Sequence, residues 1–549
     1  MRTRYLFLVL GGALLASCTK PPAPTPSVTT VQGFVYQSIS TGGNPVTGAQ
    51  VKLTAGSVSK STITGPNGAF QLSYEGQANF SLTVTPPAGS GLRSVTYDDV
   101  PVAAYKDQYG AAGEMNIYLP GGPAVALPGT GSVFGCITGR LLDTDGTTPV
   151  VANPPPKTPD RTSPAACDGS QPKGLFNDGG TAIQPGENGL VIFGGFRVVT
   201  TKADGSFRVP LFTGNNGFAF SGSLWGGNYT GTDTGDPNTA TAYFWEKFAF
   251  KPRADLYTKP SNFIDTPAGD LVLEPFDPAT NPKVTTLPIT HDTSALSGFD
   301  FSDPSKALSF SVPIFNHAIH SSGIELGQYY NIGAGAMNMR VIKLDPAAKS
   351  QQIEVDSTAL NADSARSTIN QWRDGSNLST PLTAKFLAIP NLQAPANNSN
   401  GQSRTPTLSW KAVPQATLYE VDVYDADGNL VWYGLTQKTS LTVPVSLAAN
   451  ANHFWRAFAY EGLEMTDVIG RDPDALQAAR WVNPARLAGL EDFRSNPVND
   501  AYGRIAQAYL GTLGYIPSAK PAGQRYLQNL LTNGYRESAS EVFAFQTGN

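Results

Sequence analysis

The clearest candidates for chemistry in this sequence are two histidines, His317 and His320, which lie three positions apart. On a helix, that spacing would let both imidazoles bind one metal ion. The flanking residues are typical of a strand and a turn, and on a strand the same spacing directs the two side chains to opposite faces. We therefore interpret both as loop histidines and predict no metal site and no cofactor. A secreted metal-dependent hydrolase with its site near this pair is the alternative.

Two Asp-x-Asp-Gly segments, residues 143–146 and 425–428, invite a calcium interpretation. A complete EF-hand loop needs further oxygen ligands and a glutamate at its twelfth position. That position is Pro154 in the first segment and Thr436 in the second. Both segments are therefore predicted to be hairpin turns, which Asp and Gly favour. The sequence also lacks a phosphate loop, a nucleophile elbow and an HExxH motif, so we predict no enzymatic activity.

The N-terminus carries a cysteine in a context typical of covalent modification. A basic start and a short apolar run indicate a secretory signal rather than a spanning helix. The following Leu15-Ala16-Ser17-Cys18 resembles the lipobox of bacterial lipoproteins, in which the signal peptide is removed before the cysteine and its sulfur carries a diacylglycerol. The resemblance implies a signal peptide over 1–17, a lipid anchor at Cys18 and an extracytoplasmic protein. In a two-membrane cell it implies the outer membrane or the cell surface. Residues 18–30 would form a Pro/Thr-rich tether.

The two remaining cysteines are Cys136 and Cys167. In an exported protein such a pair is most simply a disulfide. The alternative is a metal site with two thiolate ligands, but the sequence offers no further ligands nearby. We predict the disulfide.

A segment dense in aromatic residues, 218–250, contains Trp225, Tyr229, Tyr243 and Trp245. Aromatic rings bind sugars by stacking, but they also fill the cores of β-sandwiches. We interpret the segment mainly as core packing and keep a polysaccharide-binding site on these four residues as an alternative.

Composition favours several β domains. The chain has 549 residues, of which 15% are charged, with 56 glycines and 43 prolines. The length predicts roughly three to five domains, and the mixture suits short strands joined by many turns. The net charge of −5, without a basic stripe, argues against nucleic acid as a partner. We expect a mainly β fold of tandem β-sandwiches with a small α-helical C-terminal domain.

The first domain is predicted over 31–120. It contains Pro45-Val46-Thr47-Gly48-Ala49-Gln50-Val51-Lys52-Leu53 and then Thr64-Gly65-Pro66-Asn67-Gly68-Ala69-Phe70-Gln71-Leu72, with apolar and polar residues alternating. Asn67-Gly68 supplies a tight hairpin turn. With Phe80 in the usual tyrosine place, this order resembles the carboxypeptidase regulatory-like domain. That resemblance implies a small transthyretin-type sandwich without peptidase activity.

The hairpin pattern recurs at Thr201-Lys202-Ala203-Asp204-Gly205-Ser206-Phe207. We therefore predict a second, elaborated copy of the first domain over 131–275, beyond a Gly/Pro linker. Residues 276–388 are predicted to be mostly β but match no family pattern. Strands are expected at 308–312, 337–342 and 353–355, and a short helix at 362–374.

A third kind of domain is predicted over 389–468. Thr407-Leu408-Ser409-Trp410 and Tyr419-Glu420-Val421-Asp422-Val423 resemble a fibronectin type III domain, with Trp410 as the central core residue and Tyr419, Val421 and Val423 facing inward. His453 stands where that family has its corner tyrosine, so the corner must be tied differently.

The C-terminal region, 469–549, shows helical spacing at Tyr502, Ile505, Tyr509 and Leu513. Ser538-Ala539-Ser540-Glu541 is predicted to be a capping box that opens a final helix. The region resembles a short helical domain found in secreted bacterial proteins. We expect a non-catalytic envelope lipoprotein that acts as a surface scaffold, adhesin or binding subunit. Its partners would be other envelope proteins or surface polysaccharide.

Overall fold

The chain is mainly β. The computed structural model describes residues 27–37, 44–76, 78–109, 114–121, 133–153, 163, 188–193, 197–212, 224–231, 242–251, 265–296, 299, 308–315, 324–329, 336–343, 352–360, 365–374, 378, 380–468 and 535–549. Within these ranges, strands dominate and the two helices are short. None of the described helices is long and apolar enough to span a bilayer.

The first sandwich is built from β1 to β7 and one helix. Their bounds are Val28–Gln37 (β1), Gln50–Ala55 (β2), Val58–Ile63 (β3), Ala69–Glu75 (β4), Phe80–Thr85 (β5), Ser94–Val100 (β6), Val102–Tyr109 (α1) and Glu114–Leu119 (β7). One sheet has the order β4-β1-β7, with β1 and β7 parallel. The other has the order β3-β2-β5-β6 and is antiparallel throughout. Alternate residues of β2 are buried, as expected for a strand with one face on the core.

The second sandwich repeats this arrangement. Its strands are Val133–Leu142 (β8), Leu190–Phe193 (β9), Arg197–Thr200 (β10), Ser206–Phe212 (β11), Leu224–Gly231 (β12), Ala242–Lys251 (β13) and Thr266–Val272 (β14). The order β11-β8-β14, with β8 and β14 parallel, matches the first sheet of the first sandwich. The order β10-β9-β12-β13 matches the second. The two regions therefore share one strand order in both sheets.

Residues 284–385 form a third copy that the sequence does not reveal. After the two-residue strand Glu274–Pro275 (β15), its strands are Val284–Asp292 (β16), Leu308–Phe315 (β17), Ile324–Tyr329 (β18), Ala336–Ile342 (β19), Gln352–Leu360 (β20), Arg366–Asp374 (β21) and Leu382–Lys385 (β22). The sheets have the orders β19-β16-β22, with β16 and β22 parallel, and β18-β17-β20-β21. The strands expected at 308–312, 337–342 and 353–355 are confirmed.

The short helix predicted over 362–374 is wrong. From Arg366 onward, the segment is strand β21, paired along its length with β20. Ala365, Ser367 and Ile369 are buried, whereas Arg366 and Thr368 between them are half-buried. This two-residue period is the signature of a strand, so tertiary pairing decides the local structure here.

The first two sandwiches share a glycine that directly precedes the fourth strand. Gly68 and Gly205 have φ values of 79° and 74°. A Cβ at Gly205 would lie 2.7 Å from the carbonyl oxygen of Leu141, and one at Gly68 would collide with the carbonyl oxygen of Val35. Glycine is therefore required in both turns for conformation and for space.

A threonine four residues before each glycine ties the turn to the loop that leads into the second sheet. The hydroxyls of Thr64 and Thr201 donate to the carbonyl oxygens of Val46 and Val150, each at 2.6 Å. Both threonines are buried. The Thr-x-x-x-Gly pattern thus has a defined structural role in each copy.

The C-terminal sandwich has a different topology. Its elements are Leu392–Ala394 (β23), Ser399–Gln402 (β24), Thr407–Trp410 (β25), Leu418–Tyr424 (β26), Leu430–Thr436 (β27), Ser440–Thr442 (β28), Asn452–Glu461 (β29), Met465–Val468 (α2), Tyr535–Ala539 (β30) and Phe543–Thr547 (β31). One sheet has the order β23-β25-β28, and the other β27-β26-β29-β31. The sandwich predicted to end at 468 therefore includes β31, and Phe545 lies in its core.

The final helix predicted from Ser538 is wrong, because 535–539 and 543–547 are strands. The Ser540 hydroxyl does not cap a helix. It accepts a hydrogen bond from the Ala457 amide of β29 at 3.0 Å. A small α-helical C-terminal domain is therefore not supported, and its other predicted helices, over Tyr502–Leu513 and beyond, lie outside the described residues.

Candidate functional site

The residues considered for covalent modification or metal binding lie mostly outside the described residues. Cys18, Cys167, His317 and His320 all belong to that part of the chain. Cys136 lies on β8 with its side chain fully buried. The Cys136–Cys167 disulfide and the lipid anchor remain predictions.

The aromatic segment forms the joint between the second and third sandwiches. Trp245 and Phe248 on β13 are 1% and 4% exposed and share a core with the third sandwich. The Phe248 ring meets that of Phe276 edge to face at 5.9 Å between centroids. Trp245 is therefore not available to stack on a sugar in this structure.

The other three residues of the aromatic platform lie on the paired strands β12 and β13. Tyr229 pairs with Trp245 and Trp225 with Phe250, while Tyr243 pairs with Gly231. The side chains of Trp225, Tyr229 and Tyr243 lie outside the described part of the structure.

The two Asp-x-Asp-Gly segments are turns, and in each of them a carboxylate accepts hydrogen bonds from the turn itself. Asp145 accepts hydrogen bonds from the Thr147 and Thr148 amides at 2.8 Å, and from the Thr148 hydroxyl. These bonds hold the pKa of Asp145 well below its usual range. Asp425 accepts from the amides of Asp427 and Asn429 in the same way. Nowhere in the described ranges do three or more His, Cys, Asp or Glu side chains gather as metal ligands.

The most developed interface joins the first and C-terminal sandwiches. Strands β6 and β27 pair in parallel, from Ser94 opposite Trp432 to Tyr97 opposite Leu435. This pairing makes one sheet out of β3-β2-β5-β6 and β27-β26-β29-β31. The two edges that would otherwise expose unpaired backbone groups cover each other.

Side chains reinforce this joint with directed hydrogen bonds. The Trp432 indole N–H donates to Thr96 at 3.1 Å, and the Thr436 hydroxyl donates to Asp98 at 3.0 Å. Lys438 Nζ lies 3.3 Å from a carboxylate oxygen of Asp98 and 3.5 Å from one of Asp99. The joint therefore specifies both register and orientation.

The joint also has an apolar side. The outer face of β26, β27 and β29, together with α2, packs into the same cluster as the first sandwich's core. Its members from the C-terminal sandwich are Leu418, Tyr433, Leu435, Phe458, Tyr460, Leu463, Met465, Val468 and Ala539. Helices α1 and α2 touch each other beside it. Removal of the first sandwich would expose this surface to water.

A buried polar network lies on the same outer face. The Tyr424 hydroxyl donates to Asp422 at 2.5 Å and accepts from the Arg456 guanidinium at 3.1 Å. Burial raises the pKa of Asp422 and also the pKa of Tyr424. The network ties β26 to β29 through side chains, and removal of one partner would leave another buried polar group unpaired, which is strongly destabilising.

Strand β30 connects the C-terminal sandwich to the third. It pairs with β21 on one side and with β29 on the other. Glu537 on β30 is 1% exposed and accepts from Arg366 of β21 at 3.1 Å. Arg536 pairs with Glu461 of β29 at 2.5 Å. The short strand β30 thus forms one ion pair with β21 and one with β29.

A tyrosine hydroxyl ties the connection between β25 and β26 in the C-terminal sandwich, whereas His453 makes no such tie among the described residues. The Tyr419 hydroxyl accepts from the Val413 amide at 2.9 Å, and its ring lies 5.3 Å from that of Trp410. His453 is 2% exposed and stacks on Phe545, but neither ring nitrogen has a hydrogen-bond partner in the described part of the chain. The tyrosine tie in this sandwich is therefore made by Tyr419 on β26, at a different connection from the one that precedes His453.

Comparison with known proteins leaves the family open. No protein-family model matches the chain, and no curated protein does either. Among solved structures, the chain is similar to the Bacillus anthracis TIE protein, with 10% identity, a TM-score of 0.13, and 65% of this chain and 50% of that chain covered. This chain thus spans half the length of that one.

Two further solved structures are similar to the chain at comparable sequence identity and TM-score. A Ca2+-stabilized adhesin that helps an Antarctic bacterium bind ice has 11% identity and a TM-score of 0.13, with 80% of this chain and 95% of that chain covered. BcpA, the major pilin subunit of Bacillus cereus, has 11% identity and a TM-score of 0.12, with 66% and 99% covered. Scores this low carry no conclusion about what this chain does.

Proposed function

We propose that this chain is a non-catalytic lipoprotein of the bacterial cell envelope that serves as a surface scaffold or adhesin. One observation carries the proposal: the sandwiches are joined to each other through strand pairing. The last strand of each repeated second sheet, β6, β13 or β21, pairs with a strand beyond its own sandwich. Such joints fix the relative positions of loops on different domains, as a scaffold requires.

The anchor would be a lipid on Cys18, followed by the tether over 18–30. The first described strand begins at Val28, so residues 28–30 of the predicted tether belong to the first sandwich and the tether proper would end at residue 27. A proline-rich segment extends by about 3 Å per residue, which would hold this sandwich roughly 30 Å from the membrane at most. The joint to the C-terminal sandwich would keep that domain close to the same membrane.

Partners would bind to loops held by the sandwiches, and the Cys136–Cys167 disulfide would brace the long insertion in the second one. Envelope proteins are the partners we favour. Trp245 is buried and cannot stack on a sugar. In the polysaccharide alternative, the binding site would therefore consist of Trp225, Tyr229 and Tyr243. The hydrolase alternative gains no support, because the His317–His320 pair lies outside the described residues.

Fractionation of cells that express the wild type and Cys18→Ala tests the anchor. We expect the wild type in the membrane fraction and Cys18→Ala either released or unprocessed. Ser17→Ala, which keeps the cysteine, is the matched control and should behave like the wild type. If Cys18→Ala stays in the membrane and is cleaved at the same place, the lipoprotein proposal is wrong.

Crosslinking in the native envelope tests the scaffold role. We expect a defined set of envelope proteins to be captured with the wild type and lost with Cys18→Ala. Capture of polysaccharide alone would favour the glycan alternative. Turnover of an envelope substrate by the purified chain, with stoichiometric zinc bound, would overturn the non-catalytic proposal.

A further inference from the structure

The repeated second sheets differ at the edge formed by the third strand of each repeat. In the third sandwich, the first edge strand, β18, receives β13 of the preceding sandwich in antiparallel orientation. In the first sandwich the equivalent strand is β3, and its strand partner among the described residues is β2 on its inner side. Ser59, Lys60 and Ser61 are exposed, and Ile63 is 59% exposed. Among the described residues, the edge that is covered in the third copy has no strand partner at β3 of the first copy or at β10 of the second.

We propose that β3 pairs with β3 of a second copy of this chain, in an antiparallel dimer centred on Ser61. This self-association goes beyond the scaffold role and does not depend on the lipid anchor. The contact between β13 and β18 is the precedent, because it joins sandwiches by antiparallel addition at the same edge. The dimer would form between two chains the same kind of contact that β13 and β18 form within one chain.

The backbone of β3 presents the required groups. A two-residue turn, Gly56 and Ser57, connects β2 to β3, and Ala55 pairs with Val58. In such a hairpin the closing pair is hydrogen-bonded, and alternate residues then direct their N–H and C=O groups to either side of the strand. The backbone groups of Ser59, Ser61 and Ile63 therefore point away from β2, toward the open edge.

A register centred on Ser61 is self-complementary. Ser61 then lies opposite Ser61 of the partner subunit, Ser59 opposite Ile63, and Lys60 opposite Thr62. The outward residues form about six backbone hydrogen bonds across the two-fold axis. A register centred on Lys60 would place like charges directly opposite each other, which is unfavourable. The sequence of β3 thus selects one symmetric pairing.

The chain segment before the first sandwich is a poor substitute for a second copy. Residues 19–30 contain Pro21, Pro22, Pro24 and Pro26. Proline lacks the N–H that a paired strand needs on its inner side, so this segment cannot donate a regular ladder. A strand of this length buries less than the roughly 1,000 Å² of a stable interface, so the dimer should be weak in dilute solution. High local concentration would favour it.

Cysteine trapping in the full-length protein tests the pairing. In the proposed dimer the two Ser61 Cα atoms lie about 5.5 Å apart, within disulfide range, whereas the two Ser59 residues are offset by about 13 Å. We expect Ser61→Cys to form a covalent dimer under mild oxidation at least ten times faster than Ser59→Cys. The wild type controls for the native cysteines. Equal rates for the two variants would overturn the proposal.

A second measurement fixes the register. Ser59→Cys mixed with Ile63→Cys should form a heterodimer, because these positions lie opposite each other, while neither variant alone should crosslink rapidly. Ser61→Pro added to both should abolish the heterodimer with an unchanged Tm, because its N–H faces away from β2. A heterodimer that persists with Ser61→Pro would contradict the pairing. Monomers of every variant under oxidation would overturn the proposal and would indicate that Lys60 keeps this edge from pairing.

Discussion

The three repeated sandwiches and the C-terminal sandwich are completed in different ways. Each repeat takes its strands from one stretch of chain in the same order. The C-terminal sandwich takes strands from 392–461 and then its last one from 543–547, beyond residues 469–534. Domain limits inferred from local pattern therefore suit the repeats, but they place the end of the C-terminal sandwich too early.

The three repeats also differ in the residues that pair between their first and fourth strands. On the first strand, Gly33 pairs with Phe70 and Gly139 with Phe207, whereas in the third copy Ile289 pairs with Met337. Gly139 leaves room for the Phe207 ring, while Ile289 is itself fully buried. The same topology thus accommodates a Gly–Phe pair in two copies and an Ile–Met pair in the third.

The largest predicted loss of stability tests whether β31 belongs to the C-terminal sandwich. Trp410 and Phe545 are 3% and 2% exposed in one core. Trp410→Ala and Phe545→Ala should each lower the free energy of unfolding by about 3–5 kcal/mol. Denaturant unfolding followed by tryptophan fluorescence measures this. Val542→Ala, at an exposed site beside β31, is the control and should change little.

An unchanged midpoint for Phe545→Ala, with a large loss for Trp410→Ala, would place β31 outside this sandwich. The fragment 389–468 alone should be unstable for the same reason, because it lacks the strand that pairs with β29.

The second-largest predicted loss of stability concerns the Gly–Phe pair that the third repeat lacks. A Cβ at Gly139 would lie 2.7 Å from Cζ of Phe207 and would also collide with the Gly269 carbonyl oxygen. Gly139→Ala should therefore destabilise the second sandwich by up to about 3 kcal/mol. Gly56→Ala, with no atom within 4 Å of the added Cβ, should cost only the strain of its positive φ. Thermal unfolding of the two variants should differ clearly, and equal midpoints would contradict the close packing at Gly139.

A smaller effect tests the threonine tie shared by the first two repeats. Thr64→Val and Thr201→Val remove the donors to Val46 and Val150 and should cost about 1–2 kcal/mol each. Hydrogen exchange of the surrounding strands should rise in the affected sandwich alone. Thr54→Val, at an exposed position of β2, is the control. No change in exchange for either variant would show that the tie is dispensable.

The smallest effect concerns pH and distinguishes the C-terminal sandwich from the repeats. Burial raises the pKa of Asp422 above its unfolded value, so this group favours folding when protonated. Its contribution should be lost as the pH rises from about 4 through the raised pKa, by at most about 1.4 kcal/mol per pH unit. Asp422→Asn should flatten that part of the stability profile, whereas Asp427→Asn, in an exposed turn, should not. Identical slopes for wild type and Asp422→Asn would contradict this prediction.

Sequence patterns predict the parts of this fold that local chemistry determines. Asn67-Gly68 and Asp204-Gly205 mark hairpins, and Trp410 with Tyr419, Val421 and Val423 marks a sandwich core that the structure contains. The third copy is not evident, because an Ile–Met pair replaces the Gly–Phe pair. The joints are not predictable either, since the pairing of β6 with β27 depends on residues far apart in the chain. The helical expectation near Ser538 fails because a capping box is only a local signal.

The central claim is that the first and C-terminal sandwiches form one joined unit. Zero-length carbodiimide crosslinking of the intact chain tests it most directly, because Lys438 lies 3.3 Å from Asp98 and 3.5 Å from Asp99. We predict a crosslinked peptide that joins Lys438 to one of these aspartates, formed within single chains in a mixture of isotope-labelled and unlabelled protein. Lys283 and Glu274, an ion pair near in sequence, provide the internal control. A crosslink at Lys283 without one at Lys438 would contradict the account.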